Sequence, residues 1–446
     1  MKMKQTKGLT AGLVIVAAVL LAAVSQQRLV GLRAEHNLDP AAVVEDSSPM
    51  INVVSILLGG FRGLLADILW LRISYMQDQG QVLEVVQLAD WVSKLQPHMP
   101  ETWAFHAWNM AYNVSMLVPD ARDRWQWVLN GLNLLRNDGI KFNPVDPRIY
   151  AELAWFFQHK IGGTSDVHNQ LFKQWWARDM KELFGRERHV DWERFMQQPE
   201  NIRRLRDEFR MNPAIMQEVE SRYGRMDWRI PESHAVYWAW RAKSFAPPEG
   251  FIRADRMLFQ TLVTLMRQGT LHFDYDAGIY ALSAAPDRWP YVIKAYEEAI
   301  QLYPENITIS IPYLYQLWDA VLIMHAYGRS DYAQMAFERI RAMDDDSRDI
   351  ETLEQAVEHA MERLQWEGSP VQVYSLINGF LYQAAMERAV GDEQIAEQAT
   401  ETAEKLWHML DSWMNEELRV RIGFESFDML VERSAAMARE GLSPAR

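Results

Sequence analysis

YVIKAYEEAIQLYP, residues 291–304, is a helix with its end written in. Val292, Tyr296 and Ala299 recur at i, i+4 and i+7, which puts them on one face of an α-helix. Pro304 closes it, because a proline cannot donate to the ladder and disfavours helical geometry in the residue before it. The same signature extends outward in both directions. Helical periodicity recurs along the chain, broken by Gly or Pro roughly every 15–20 residues. Alternating runs joined by Asn-Gly or Asp-Gly, the mark of β-hairpins, do not recur. The chain therefore reads as all-α, with long aromatic helices joined by short turns as stacked helical hairpins.

Three glycines mark turns between paired helices. Gly391 follows Ala384 by seven residues and precedes Ala396 and Ala403 by five and twelve. Gly328 precedes Ala333, Phe337 and Ile340 by five, nine and twelve, and Gly80 precedes Val85, Ala89 and Val92 at the same offsets. The exit turns QPHMP (96–100) and NPVDP (143–147) repeat one another, each followed by an aromatic, Trp103 or Tyr150, in the next helix. Small residues where two helices cross, with glycine at the turn between them, resemble divergent tetratricopeptide repeats (TPR). That resemblance implies a right-handed α-solenoid of irregular TPR-like hairpins over residues 50–161 and 251–440. A charged, Trp-containing helical insertion, residues 162–250, separates the two arrays. The chain departs from the family pattern in its uneven unit spacing and in lacking most of the first-helix aromatic and glycine signature.

Composition narrows the function. With 49% hydrophobic and 24% charged residues the chain folds rather than remaining disordered. Its 18 Trp, 16 Tyr and 17 Phe supply large buried areas. A net charge of −14 argues against a nucleic-acid partner, which calls for a basic face. The basic stretch Arg203, Arg204, Arg206 and Arg210 alternates with Asp207 and Glu208, as on a solvated helix face. The absence of cysteine excludes disulfides, thiolate metal sites, thiol nucleophiles and a lipid-modified N-terminal cysteine.

Lys2, Lys4 and Lys7 precede an uncharged run, residues 8–24. Positive charge ahead of an apolar helix stays cytoplasmic. The expectation is one transmembrane helix in the cell inner membrane, with the bulk of the chain on the periplasmic side. A cleaved signal ending at Ala23-Val24-Ser25 is the competing reading. Residues 1–27 thus form the anchor or signal sequence and 28–49 a juxtamembrane linker. The apolar stretch 50–71 contains Arg62 and Asp67 and is broken by Gly59-Gly60, so it reads as the first helices of the body.

Catalytic signatures are scarce. No strand-to-helix Gly-rich loop, Gly-x-Ser-x-Gly elbow or His-Glu-x-x-His helix is present. His159 and His168 flank Gly162-Gly163 but bring no further metal-ligand spacing, and no metal or cofactor is expected. Glu425-Ser426-Phe427 resembles the glutamate–serine step of lytic transglycosylases, a family with a long catalytic domain after the motif. A cap or surface glutamate on the last helix is the simpler reading. Two polar stripes carry more weight. Thr102, His106, Asn109 and Asn113 recur at helical spacing, and so do Arg148, Glu152, Trp155 and His159. They form a polar groove able to grip a peptide backbone or carboxylate, or they merely face solvent, or they satisfy one another inside a contact between packed helices. The candidate binding residues are His106, Asn109, Asn113, Arg148, Glu152 and His159. His234, Tyr237, Trp238 and Arg241 lie on a further helix opened by Pro231 and capped, on this reading, by Ser233; they either close over the groove or pack.

The expected function is a membrane-anchored, non-enzymatic scaffold that binds a protein or peptide in the cell envelope. The alternative is a helical-toroid enzyme acting on an envelope polysaccharide, which requires two carboxylates about 5–9.5 Å apart across a cleft.

Overall fold

The structure, a computed structural model, describes residues 62–442 other than 248 and 276–277, together with the isolated positions 25, 28 and 32. The apolar run 8–24 lies outside the described residues, and so does the linker expected at 28–49 apart from positions 28 and 32. Among the described residues the chain is helical almost throughout, with nineteen α-helices and one two-stranded sheet. It divides into two compact units, Met1–Thr102 and Trp103–Arg446.

In the first unit α1 (Arg62–Asp78) and α2 (Val82–Leu95) pack as a hairpin about Gly80, whose φ of +70° is open to glycine at no steric cost. Val85, Ala89 and Val92 are buried, as the offsets from Gly80 predict. The division between units falls in the first turn of α3 (Pro100–Trp108).

The second unit begins with three helices that share an unusual feature. Each passes from α-helix into a π-helical turn: α3 into Asn109–Val114, α4 (Ala121–Leu134) into Leu135–Gly139, and α5 (Pro147–Trp155) into Phe156–Ile161. Asp120 and Asp146 cap α4 and α5 by accepting from the N–H groups of Arg122 and Arg148. The helices approach closely where they cross: a Cβ on Gly131 of α4 would stand 2.6 Å from the Ala107 carbonyl oxygen.

Five further helices follow: α6 (Asn169–Phe184), α7 (Trp192–Phe195), α8 (Pro199–Asp207), α9 (Pro213–Tyr223) and α10 (Pro231–Ser244). The sequence 162–250 shares the core of its neighbours, with α10 packing against both α5 and α11 (Ile252–Gln268). His234, Tyr237 and Trp238 are fully buried there, so this helix belongs to the core and covers no groove. Pro231 opens it as predicted, but Ser233 does not cap it. Ser233 Oγ donates instead to the Asp227 carbonyl at 2.6 Å, and Ile230 holds the cap position.

Strands β1 (Thr270–Asp274) and β2 (Ile279–Ser283) form an antiparallel hairpin, with Thr270 opposite Ser283 and Asp274 opposite Ile279. No hairpin is expected there from the sequence. The turn ends in Gly278, at φ +71°, without the Asn-Gly or Asp-Gly pair that announces a tight turn. Beyond it lie α12 (Trp289–Leu302), α13 (Ile307–Ala326), α14 (Ser330–Met343), α15 (Leu353–Glu367), α16 (Pro370–Val390), α17 (Glu393–Trp413), α18 (Glu416–Ile422) and α19 (Phe427–Leu442). Gly328 (φ +67°) turns α13 into α14, and Gly391 (φ +90°) turns α16 into α17. Ala333, Phe337 and Ile340 after the first, and Ala396 and Ala403 after the second, are buried at the crossings.

One apolar core runs through this unit from Trp103 to Leu430, with Trp176, Trp228, Trp238, Trp289 and Trp318 fully enclosed. Helix α13 is the one described helix long and apolar enough to cross a membrane, and half of it is buried. It also carries Asp319, paired with Arg267 of α11, as befits a core helix.

Candidate functional site

The π-helical turns shift the phase of the polar stripes at their C-terminal ends, where Asn109, Asn113 and His159 lie. An α-helix closes i→i+4 hydrogen bonds, whereas a π-turn closes i→i+5 and so takes in one residue more. Beyond Asn109 the stripe therefore loses its phase. Thr102, His106 and Asn109 are buried, at 1, 2 and 0% exposure. Asn109 Nδ2 donates to the Phe105 carbonyl at 2.9 Å, and Asn113 Nδ2 donates to Asn109 Oδ1 at 2.7 Å. These two asparagines are satisfied within their own helix.

The second stripe remains nearer the surface. Arg148 is exposed and holds Asp146 in a two-point contact, Nε to Oδ1 at 2.9 Å and Nη2 to Oδ2 at 2.6 Å. Glu152 and His159 are half-buried, with Glu152 Oε1 at 2.6 Å from Arg253 Nη1 of α11. Of the six candidates, Glu152 and His159 gather at one place. His106 and Asn109 lie inside, Asn113 bonds back to Asn109, and Arg148 stays with Asp146.

What the structure brings to His159 is Tyr112, which the spacing argument did not select. Tyr112 Oη and His159 Nδ1 share a hydrogen bond of 3.1 Å across the two π-turns. Trp108 stacks on Tyr112 at 5.4 Å between ring centroids, and Trp155 stacks on His159 at 4.5 Å with ring planes 9° apart. Trp108, Tyr112, His159 and Trp155 thus form a four-ring ladder, with Trp108 41% exposed at one end. Burial, and then the charge of Glu152, raises the Tyr112 phenol far above its ordinary range, so it stays protonated. Burial, and then the Lys160 ammonium, lowers His159 below the ordinary imidazole value. The ladder is therefore neutral at pH 7, with Glu152 and Arg253 as the charged pair beside it.

Beneath the ladder is a buried ionic knot. Asp166, in the loop after Gly162-Gly163, accepts from Lys160 Nζ at 2.9 Å and from Arg124 Nη1 at 3.1 Å. Lys160 also reaches Ser115 Oγ at 3.4 Å and lies 5.0 Å from the Tyr112 ring centroid. Burial alone would raise the Asp166 carboxyl, but the His168 N–H, Lys160 and Arg124 outweigh it and hold it below the usual carboxylate range. The knot ties the loop after the third π-turn to the helix end after the first, and so fixes the floor of the ladder.

Glu425 and Ser426 lead into the last helix. The Glu425 carboxylate accepts from Arg433, its carbonyl accepts from Trp407 Nε1 at 3.1 Å, and Ser426 Oγ accepts from the Met429 N–H. Among the described residues no three His, Cys, Asp or Glu side chains cluster with the reach to hold a metal ion. Set against models of known protein families and against curated proteins, the chain matches none.

Proposed function

We propose that this chain is a membrane-anchored scaffold of the cell envelope, built of divergent TPR-like hairpins, that holds a protein or peptide partner against the Trp108–Tyr112–His159–Trp155 ladder. The ladder is the observation that carries the reading. Stacked aromatic faces offer contact area at small entropic cost, and Trp and Tyr are enriched where interfaces concentrate their binding free energy. Two of the ladder's members sit in π-turns, a device frequent at functional sites. Glycine turns at 80, 328 and 391, with small residues at the crossings that follow, support the TPR-like part. The lysines ahead of the apolar run 8–24 support the anchor and a periplasmic body. On this reading the chain needs no cofactor and carries out no chemistry of its own.

The test is capture from detergent-solubilised envelope by full-length protein, with bound polypeptides identified by mass spectrometry. Trp108→Ala and Trp155→Ala should each reduce capture of one defined partner at least tenfold per folded molecule, with folded fraction taken from thermal unfolding. Undiminished capture by both variants overturns the ladder as the binding surface.

A further inference from the structure

Helix α1 has two apolar faces. Ala66 and Ile73 are buried, and on the opposite side Leu64, Ile68, Leu71 and Tyr75 are 57, 53, 73 and 63% exposed. Exposed apolar residues scattered singly are ordinary. Four in one line over three turns form a patch of the kind that marks an interaction site.

The spacing names the partner. Steps of four, three and four residues are the alternation of a heptad seam, with Leu64 and Leu71 at d and Ile68 and Tyr75 at a. Ala66 and Ile73 then fall at f, furthest from the seam, which is where α1 faces its own unit. Ile68, one of the two a residues, is β-branched, and a β-branched a with Leu at d favours two parallel strands. The flanking charges agree. Asp67 falls at g and Arg72 at e, both exposed and five residues apart. In a parallel pair the g residue of one helix faces the e residue of the next heptad in the other, so Asp67 meets Arg72 on both sides of the two-fold axis. Asp78 at the following d ends the seam where the helix ends.

We propose that α1 is a dimerisation helix, pairing in parallel with α1 of a second copy of this chain through Leu64, Ile68, Leu71 and Tyr75. The helix is already formed against α2, so association escapes the nucleation cost that makes a short isolated helix marginal. Two heptads make a small interface, so the dimer forms and dissociates with concentration.

The experiment uses full-length protein in detergent. The chain has no cysteine, so a single introduced one reports alone. Leu64→Cys and Leu71→Cys should each give a disulfide-linked dimer under mild oxidation, because equal d positions face each other in a parallel pair. Gln77→Cys, at position c, should not. In sedimentation equilibrium Leu71→Asp and Asp67→Arg should each weaken the dimer at least tenfold, and Asp67→Arg with Arg72→Asp should restore it. Unfolding temperatures should stay at the wild-type value, since these side chains are exposed. A monomer at every concentration, with Leu71→Asp abolishing binding to anionic vesicles instead, would make the stripe a lipid-facing surface and overturn the proposal. So would a dimer indifferent to Leu71→Asp, or cross-linking confined to mixtures of Leu64→Cys with Tyr75→Cys, the antiparallel signature.

Discussion

At His234 the imidazole Nε2 donates to the Trp228 carbonyl at 2.8 Å while the ring packs between Phe157 and Trp176. Burial first, opposed by that hydrogen bond and reinforced by Arg136, lowers its pKa from 6.5 to about 3. Burial with Arg188 and Arg229 does the same to His272, also to about 3. The unfolded chain takes up both protons near 6.5 and the folded one does not until about 3, so stability is full above 6.5 and is lost as pH falls through that window. The unfolding temperature should fall steadily between pH 7 and 5. His234→Phe should lower it at pH 7, through the lost hydrogen bond, yet flatten its slope with pH; an unchanged slope would remove His234 as the cause. Asp166 offers a second measurement. With Lys160 and Arg124 both buried against it, Asp166→Asn strands two cations and should cost about 3–5 kcal/mol in denaturant unfolding. Neither site was legible in the sequence. In the sequence His234 marks only a helix that covers a groove or packs, and Lys160 and Asp166 show no spacing that announces a pair. Their meaning comes from the loop that Gly162-Gly163 allows to fold back.

Among the elements, the helical hairpins were the readable part. Glycine at a positive-φ turn and small residues at fixed offsets specify a close crossing locally, without reference to distant chain. Ala403 is buried where α17 crosses α16, and Ala403→Leu should cost about 1–3 kcal/mol by overpacking. Glu401 on the same helix faces solvent and pairs with Lys405 at 2.8 Å, so Glu401→Ala should stay within about 0.5 kcal/mol. Equal tolerance at the two positions in thermal unfolding would refute the crossing. The π-turns and the β-hairpin were hidden for a common reason. Both replace a local rule with a tertiary one. The sequence NMAYNV keeps an ordinary helical pattern, and what rewards its extra residue is the meeting of Tyr112 with His159, forty-seven residues away. Likewise β2 finds its place against α16 and through Tyr327, whose hydroxyl accepts from the Ala284 N–H just after the strand.

At the scale of the molecule, a ladder on one unit and a seam on the other serve a scaffold only if the chain is held where its partners are. The three lysines before residues 8–24 make that a prediction about location. Full-length protein should remain in the membrane fraction through a high-salt wash, because an apolar helix that spans hydrocarbon is not released by screening charge. A chain beginning at Ala41 keeps α1 to α19 and should be released as soluble protein. It should still capture the partner of the ladder, since that surface lies wholly in the second unit. It should dimerise more weakly than the anchored chain, because two copies confined to one membrane meet at a higher effective concentration than two in free solution. Fractionation, capture and cross-linking through Leu71→Cys, run side by side on the two chains, separate these terms. Mature protein starting near Gln26 in a soluble envelope fraction would replace the anchor with a cleaved signal, and the two forms would then dimerise alike.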